Sequence, residues 1–130
     1  MAILAGFASA FIEYIAYDIF DGTSTGSWNC AMAPMVDQME SCRAENLKEA
    51  RRIAGLLYKL HHFVHEDKVH HNLRYKIAAW LRGRIPSPYM RPPMPPPGRE
   101  EVLTMREVLK GAGFSVISNE EIDATLNNRI

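Results

Sequence analysis

Residues 35–64 read MVDQMESCRAENLKEARRIAGLLYKLHHFV, and the spacing of their apolar side chains sets the fold class. Met35, Met39, Cys42, Leu47, Ala50, Ile53, Leu57, Leu60 and Val64 recur at helical intervals with charged residues between them, as in a helix that buries one face. The stretch therefore predicts one long helix. Gly55 stands in its middle, but glycine costs only about 1 kcal/mol against alanine there, too little to break so long a pattern. A second helix fits Val69, Leu73, Ile77, Trp80 and Leu81 and ends near Gly83, while His65-Glu66-Asp67-Lys68 offers a bend between the two.

Upstream, Leu4, Phe7, Phe11, Ile15 and Ile19 predict a first helix whose apolar side is wide, stopped at Asp21-Gly22. Phe7, Phe11 and Ile15 are its expected interface anchors. Residues 22–34, GTSTGSWNCAMAP, read as a loop pinned by Trp28. Downstream, residues 86–97, PSPYMRPPMPPP, have too few amide donors for a helix or a sheet interior. As polyproline II they would form a spacer of about 37 Å. REEVLTMREVLKGAG, residues 99–113, then predicts a short helix with acids in its first turn, and FSVIS, residues 114–118, a short strand. Ser118 and Glu121 have the spacing of a capping box for a last helix through Leu126.

These elements predict a mainly α protein. A helical hairpin packs with an apolar N-terminal helix over residues 1–85, a Pro-rich linker covers 86–98, and a small helix–strand–helix tail covers 99–130. So small a tail needs a surface, so it is expected to dock on the body or on a partner. With 130 residues the chain can bury one core, and 47% hydrophobic and 23% charged residues exclude a wholly disordered chain. Cys30 and Cys42 are too few for a disulfide scaffold, which leans towards a reducing, intracellular setting. No Lys or Arg precedes Arg43, unlike the positive start of a signal peptide. Glu13 and Asp18, with no basic flanks, argue against a membrane span over residues 3–20, so membrane association is the lesser reading.

The net charge of zero conceals a segregation. Residues 1–42 carry five acids and no Lys or Arg; residues 43–99 carry twelve bases and four acids, a net of +8; residues 100–130 return to −3. The basic segment could track a phosphate backbone, with Arg51, Arg52, Lys59, Arg74, Lys76 and Arg82 as non-specific phosphate contacts. A solvated helix face explains the same charges.

All five histidines fall in Leu60–His71, LHHFVHEDKVHH. If the chain bends near residues 66–68, His61, His65 and His70 converge, the ligand number of a zinc site with one open position. The pattern lacks the glutamate of H-E-x-x-H, and a polar bend is the first reading, a proton switch the second and a metal the third. Glu66 and Asp67 beside the histidines favour an open, acid-paired bend that raises their pKa values. The prolines Pro92 and Pro95 satisfy P-x-x-P, but Arg91 and Arg99 are off register for a docking motif, and a stiff spacer suffices. No phosphate loop and no nucleophile motif is present. The expectation is a non-enzymatic, cofactor-free assembly or adaptor subunit that meets a protein partner or itself and turns its basic segment to an anionic partner. A nucleic-acid-binding module is the alternative, and a metal-dependent enzyme comes after both.

Overall fold

A computed structural model describes residues 1–6, 13, 17 and 20–127. Among them the chain is mainly helical. Two short strands, β1 (Leu4–Ala5) and β2 (Gly22–Thr23), pair in parallel with Leu4 opposite Gly22. Five helices follow: α1 (Trp28–Arg43), α2 (Leu47–Glu66), α3 (His71–Leu81), α4 (Arg99–Gly111) and α5 (Asn119–Asn127). Phe7, Phe11 and Ile15 lie outside the described residues, and Leu4, expected to open a helix, lies in β1 instead. No helix among the described residues is long and apolar enough to cross a membrane.

Two boundaries depart from the expectation. The helix read from Met35 to Val64 is two helices, broken at Ala44–Asn46, where Glu45 takes a left-handed φ of 56°. The Asn46 side chain then restarts the helix, its Oδ1 accepting the amide of Glu49 at 3.2 Å. The apolar period runs across this break because periodicity records where side chains go, not whether the backbone turns between them. The segment read as a loop also holds the first turns of α1, which starts at Trp28, carries Pro34 inside and kinks at Ala31. Trp28 does pin this region: its indole Nε1 donates to the Thr23 carbonyl at 3.2 Å and its ring packs against the core.

The bend between α2 and α3 forms where expected. One Asp67 carboxylate oxygen accepts the amides of Val69 and His70 at 2.9 and 3.0 Å, turning the chain before α3 starts. At the far end Gly83, at φ 67°, lets its amide reach the Trp80 carbonyl and that of Arg84 reach Ala79.

The core joins Met35 of α1, Ile53, Leu57, Leu60 and Val64 of α2, Leu73, Ile77 and Leu81 of α3, Val102, Met105 and Leu109 of α4, and Ile122 of α5. Helix α4 packs on α2 and α3. Residues 114–118 form no strand; their amides bond back to the helices, Phe114 N to Leu109 O at 3.0 Å and Ile117 N to Leu81 O at 2.8 Å. The expected capping box of α5 is present in both directions, with Ser118 N donating to Glu121 at 2.9 Å and Glu121 N to Ser118 Oγ at 3.2 Å. The proline-rich segment runs along the body: Pro88 is fully buried, Met90 and Met94 pack against the core, and Tyr89 donates to the Thr125 carbonyl.

A histidine-lined cleft on α2

Helical geometry sets two sides of α2 apart. Its core stripe runs through Ile53, Leu57, Leu60 and Val64, and at about 100° per residue His61 and His65 fall on one edge of that stripe. A cleft of about 680 Å³ opens along this edge, walled by Ala54, Tyr58, His61 and His65 of α2 and by Gln38 of α1, with Glu13 and Glu66 also lining it. Among the described residues no lysine or arginine lines it.

His61 is 5% exposed, and its Nε2 has no hydrogen-bond partner among the described residues. Burial, with a smaller contribution from His65, holds its pKa down at about 4, so the ring is neutral at neutral pH. His65 is held in place by a buried chain of hydroxyls. Ser27 Oγ donates to Tyr75 Oη at 3.1 Å, which leaves the phenol proton for His65 Nε2 at 2.9 Å. A neutral His65 can accept that proton at Nε2, and burial and the nearby His71 lower its pKa. Gly26 makes room for the phenol: a Cβ there would meet the Tyr75 ring at 2.5 Å.

The other histidines serve the bend. His70 Nδ1 sits 2.7 Å from Asp67 Oδ2, and this contact leads the effects that pull the Asp67 carboxyl down to about 2. His71 Nδ1 lies 2.9 Å from the Lys68 carbonyl, and His62 is exposed with its ring centroid 5.8 Å from that of Tyr58. His61, His65 and His70 are thus given to three environments. Among the described residues no group of three or more His, Cys, Asp or Glu side chains is placed to hold a metal ion. The open bend expected to raise histidine pKa values is corrected for His61 and His65, whose burial outweighs the nearby acids.

The six basic residues divide as well. Arg51, Arg52 and Lys59 are exposed on α2, Arg52 paired with Glu49 at 2.6 Å. Arg74 is turned inward, bonded to Glu101 at 2.8 Å and to the Phe63 carbonyl, with its guanidinium 4.2 Å from the Phe63 ring centroid. Lys76 donates to the Tyr89 carbonyl, and Arg82 donates to the Cys30 carbonyl while lying over Phe114. Cys30 and Cys42 are free thiols; burial pushes Cys30 up to about 11 and also raises Cys42, so neither is primed as a nucleophile.

Comparison with known protein families, with curated proteins and with solved structures gave no match to this chain.

Sequence reasoning missed Ser27, Gln38 and Tyr75 as site residues. Gln38 carried a readable signal, since it stands three residues after Met35 and four before Cys42 on one side of a helix; it is 3% exposed. Tyr75 carried none, because it lies off the stripe of Leu73 and Ile77, yet it is buried in the core with its hydroxyl bonded to Ser27 and His65.

Proposed function

We propose that the chain is a non-enzymatic helical assembly subunit that pairs with a second copy of itself. The observation that carries this is a shallow groove of about 530 Å³ between α2 and α4, lined by Lys59 of α2 and by Leu103, Glu107 and Val108 of α4, with Glu107 also paired to Arg106 at 2.7 Å. Leu56, one turn before Lys59, is exposed, as is Leu103. A base on one helix and an acid on the other are self-complementary: a twofold-related copy sets its Glu107 against Lys59 and its Leu103 against Leu56. Sedimentation should give a concentration-dependent mass above the 14.7 kDa of one chain. Leu56→Glu with Leu103→Glu should return a monomer of unchanged helical content, and Lys59→Glu should weaken pairing until Glu107→Lys restores it. A monomer at every concentration removes the proposal. Phe11→Glu in the same measurement asks whether the first segment, with Phe7 and Ile15, is the interface instead.

A second reading, non-specific nucleic-acid binding, is supported by a basic ridge on the outer face of α2, where Lys48, Arg51, Arg52 and Lys59 are all exposed. Binding through these four side chains implies a log–log salt slope of about −3 to −4 on duplex DNA. Absence of binding at low salt rejects it.

A further inference from the structure

Arg82 and Arg84 carry charge that no carboxylate among the described residues takes up in an ion pair. Both line a pocket of about 540 Å³ between the start of α1 and the residues that follow α3, together with Trp28, Met32, Val36 and Asp37. Small-molecule sites occupy about 300–1,000 Å³. Trp28, Met32 and Val36 stand four residues apart on α1, so helical geometry sets them in one row, and Met32 is 56% exposed. The Arg82 guanidinium is only partly committed. Its Nη1 donates to the Cys30 carbonyl and its face lies over Phe114, contacts that account for its position. Its Nε is sealed inside the protein, beyond the reach of any ligand, whereas Nη2 has no partner among the described residues and is not closed off from solvent. Arg84 is exposed just beyond Gly83. Burial first, and then the like charge of Arg84, lower the pKa of Arg82, so two cations are held near one another without a counter-charge.

We propose that this pocket binds a small apolar monocarboxylate, its carboxylate held by Arg84 and by Arg82 Nη2 and its body laid along Trp28, Met32 and Val36. Arginine presents planar N–H donors that match a carboxylate. Charge sets the valence: two arginines and Asp37 leave the lining at net +1, which one negative charge balances and two overshoot. The backbone does not supply the site, because the amides of Trp28, Asn29 and Cys30 at the start of α1 already bond to the carbonyls of Thr25, Gly26 and Ser27. The pocket shares no residue with the groove proposed for self-association or with the basic ridge of α2, so each reading can fail without the others.

The matched probes 2-naphthoate and 2-naphthamide test it on the intact chain, since they share ring and shape and differ in charge. Titration calorimetry should show the carboxylate binding about tenfold more tightly than the amide, a moderate gain for a charged contact open to water. The dianion 2-naphthyl phosphate should bind no more tightly than 2-naphthoate. Arg84→Gln, at an exposed position, should weaken 2-naphthoate about fivefold and leave the amide unchanged, whereas Asp37→Asn should tighten 2-naphthoate about twofold. In NMR spectra the Trp28 indole N–H resonance should move as 2-naphthoate is added. Equal affinity for acid and amide, no binding of the acid, tighter binding of the phosphate, 2-naphthoate bound by Arg84→Gln as by the parent chain, or weaker binding by Asp37→Asn would each overturn the proposal. So would a Trp28 resonance that stays in place while those of Lys48, Arg51, Arg52 and Lys59 move, because the anion would then lie on the ridge of α2.

Discussion

Neutral His61 ties the stability of the chain to pH. In the unfolded chain its imidazole takes a proton near pH 6.5, whereas in the native state burial holds the value at about 4. Between those values the unfolded state binds more protons, so stability rises with pH across this window. The contribution is fully present above about 6.5 and is lost as pH falls towards 4; the separation corresponds to about 3 kcal/mol. Urea denaturation between pH 7.5 and 4.5 should show that decline, and His61→Phe should flatten it. Asp67 acts in a lower window, because its depressed carboxyl withdraws its contribution only as pH falls from 3.8 towards 2. The sequence placed His61 and His65 correctly on the edge of the stripe of α2. What it did not contain was the approach of Gln38 from α1 to that edge and the bonding of Ser27 to Tyr75, which in turn meets His65.

Elements were more legible than their joints. The apolar period located the body of α2 and most of α3, the acids of the first turn and the closing glycine located α4, and the Ser118–Glu121 spacing located the start of α5. The joint between α1 and α2 failed because its stop is a backbone angle, although Asn46 three residues before Glu49 has the spacing of a helix start. Glu45 is the instance: nothing in Arg43-Ala44-Glu45-Asn46 resembles a glycine stop, yet its φ of 56° separates α1 from α2. A side chain with a Cβ in that conformation costs about 1–2 kcal/mol, and glycine does not incur it. Glu45→Gly should therefore raise stability by about 0.5–1 kcal/mol, read as a higher denaturation midpoint with an unchanged slope. A fall in the midpoint would mean that the Glu45 side chain contributes more than its conformation costs. Residues 114–118 failed for the opposite reason, since their β-forming side chains carry the signal but the amides of Phe114 and Ile117 bond back to the helices.

Across the whole molecule, the basic segment is partly internal wiring. Arg74 reaches Phe63 on α2 and Glu101 on α4 from its own position on α3, so three helices meet at one guanidinium. Its removal leaves Glu101 and the Phe63 carbonyl half-buried without their donor. Arg74→Met should cost about 2–3 kcal/mol in chemical denaturation, while Arg51→Ala, on the exposed face, should stay within about 0.5 kcal/mol. A linear charge count cannot separate these two arginines, because only the packing of α4 on α2 and α3 decides which of them faces inward. That same packing has a consequence in time. The core begun by Met35 and Leu57 is closed by Val102, Met105, Leu109 and Ile122, so its last contributors are made long after its first. At about 5–20 residues per second, roughly two to eight seconds separate synthesis of Leu81 from that of Ile122. Throughout that interval the growing chain carries an apolar face whose own cover has not yet been made, and during translation it is a natural client for whatever shields such faces at the ribosome.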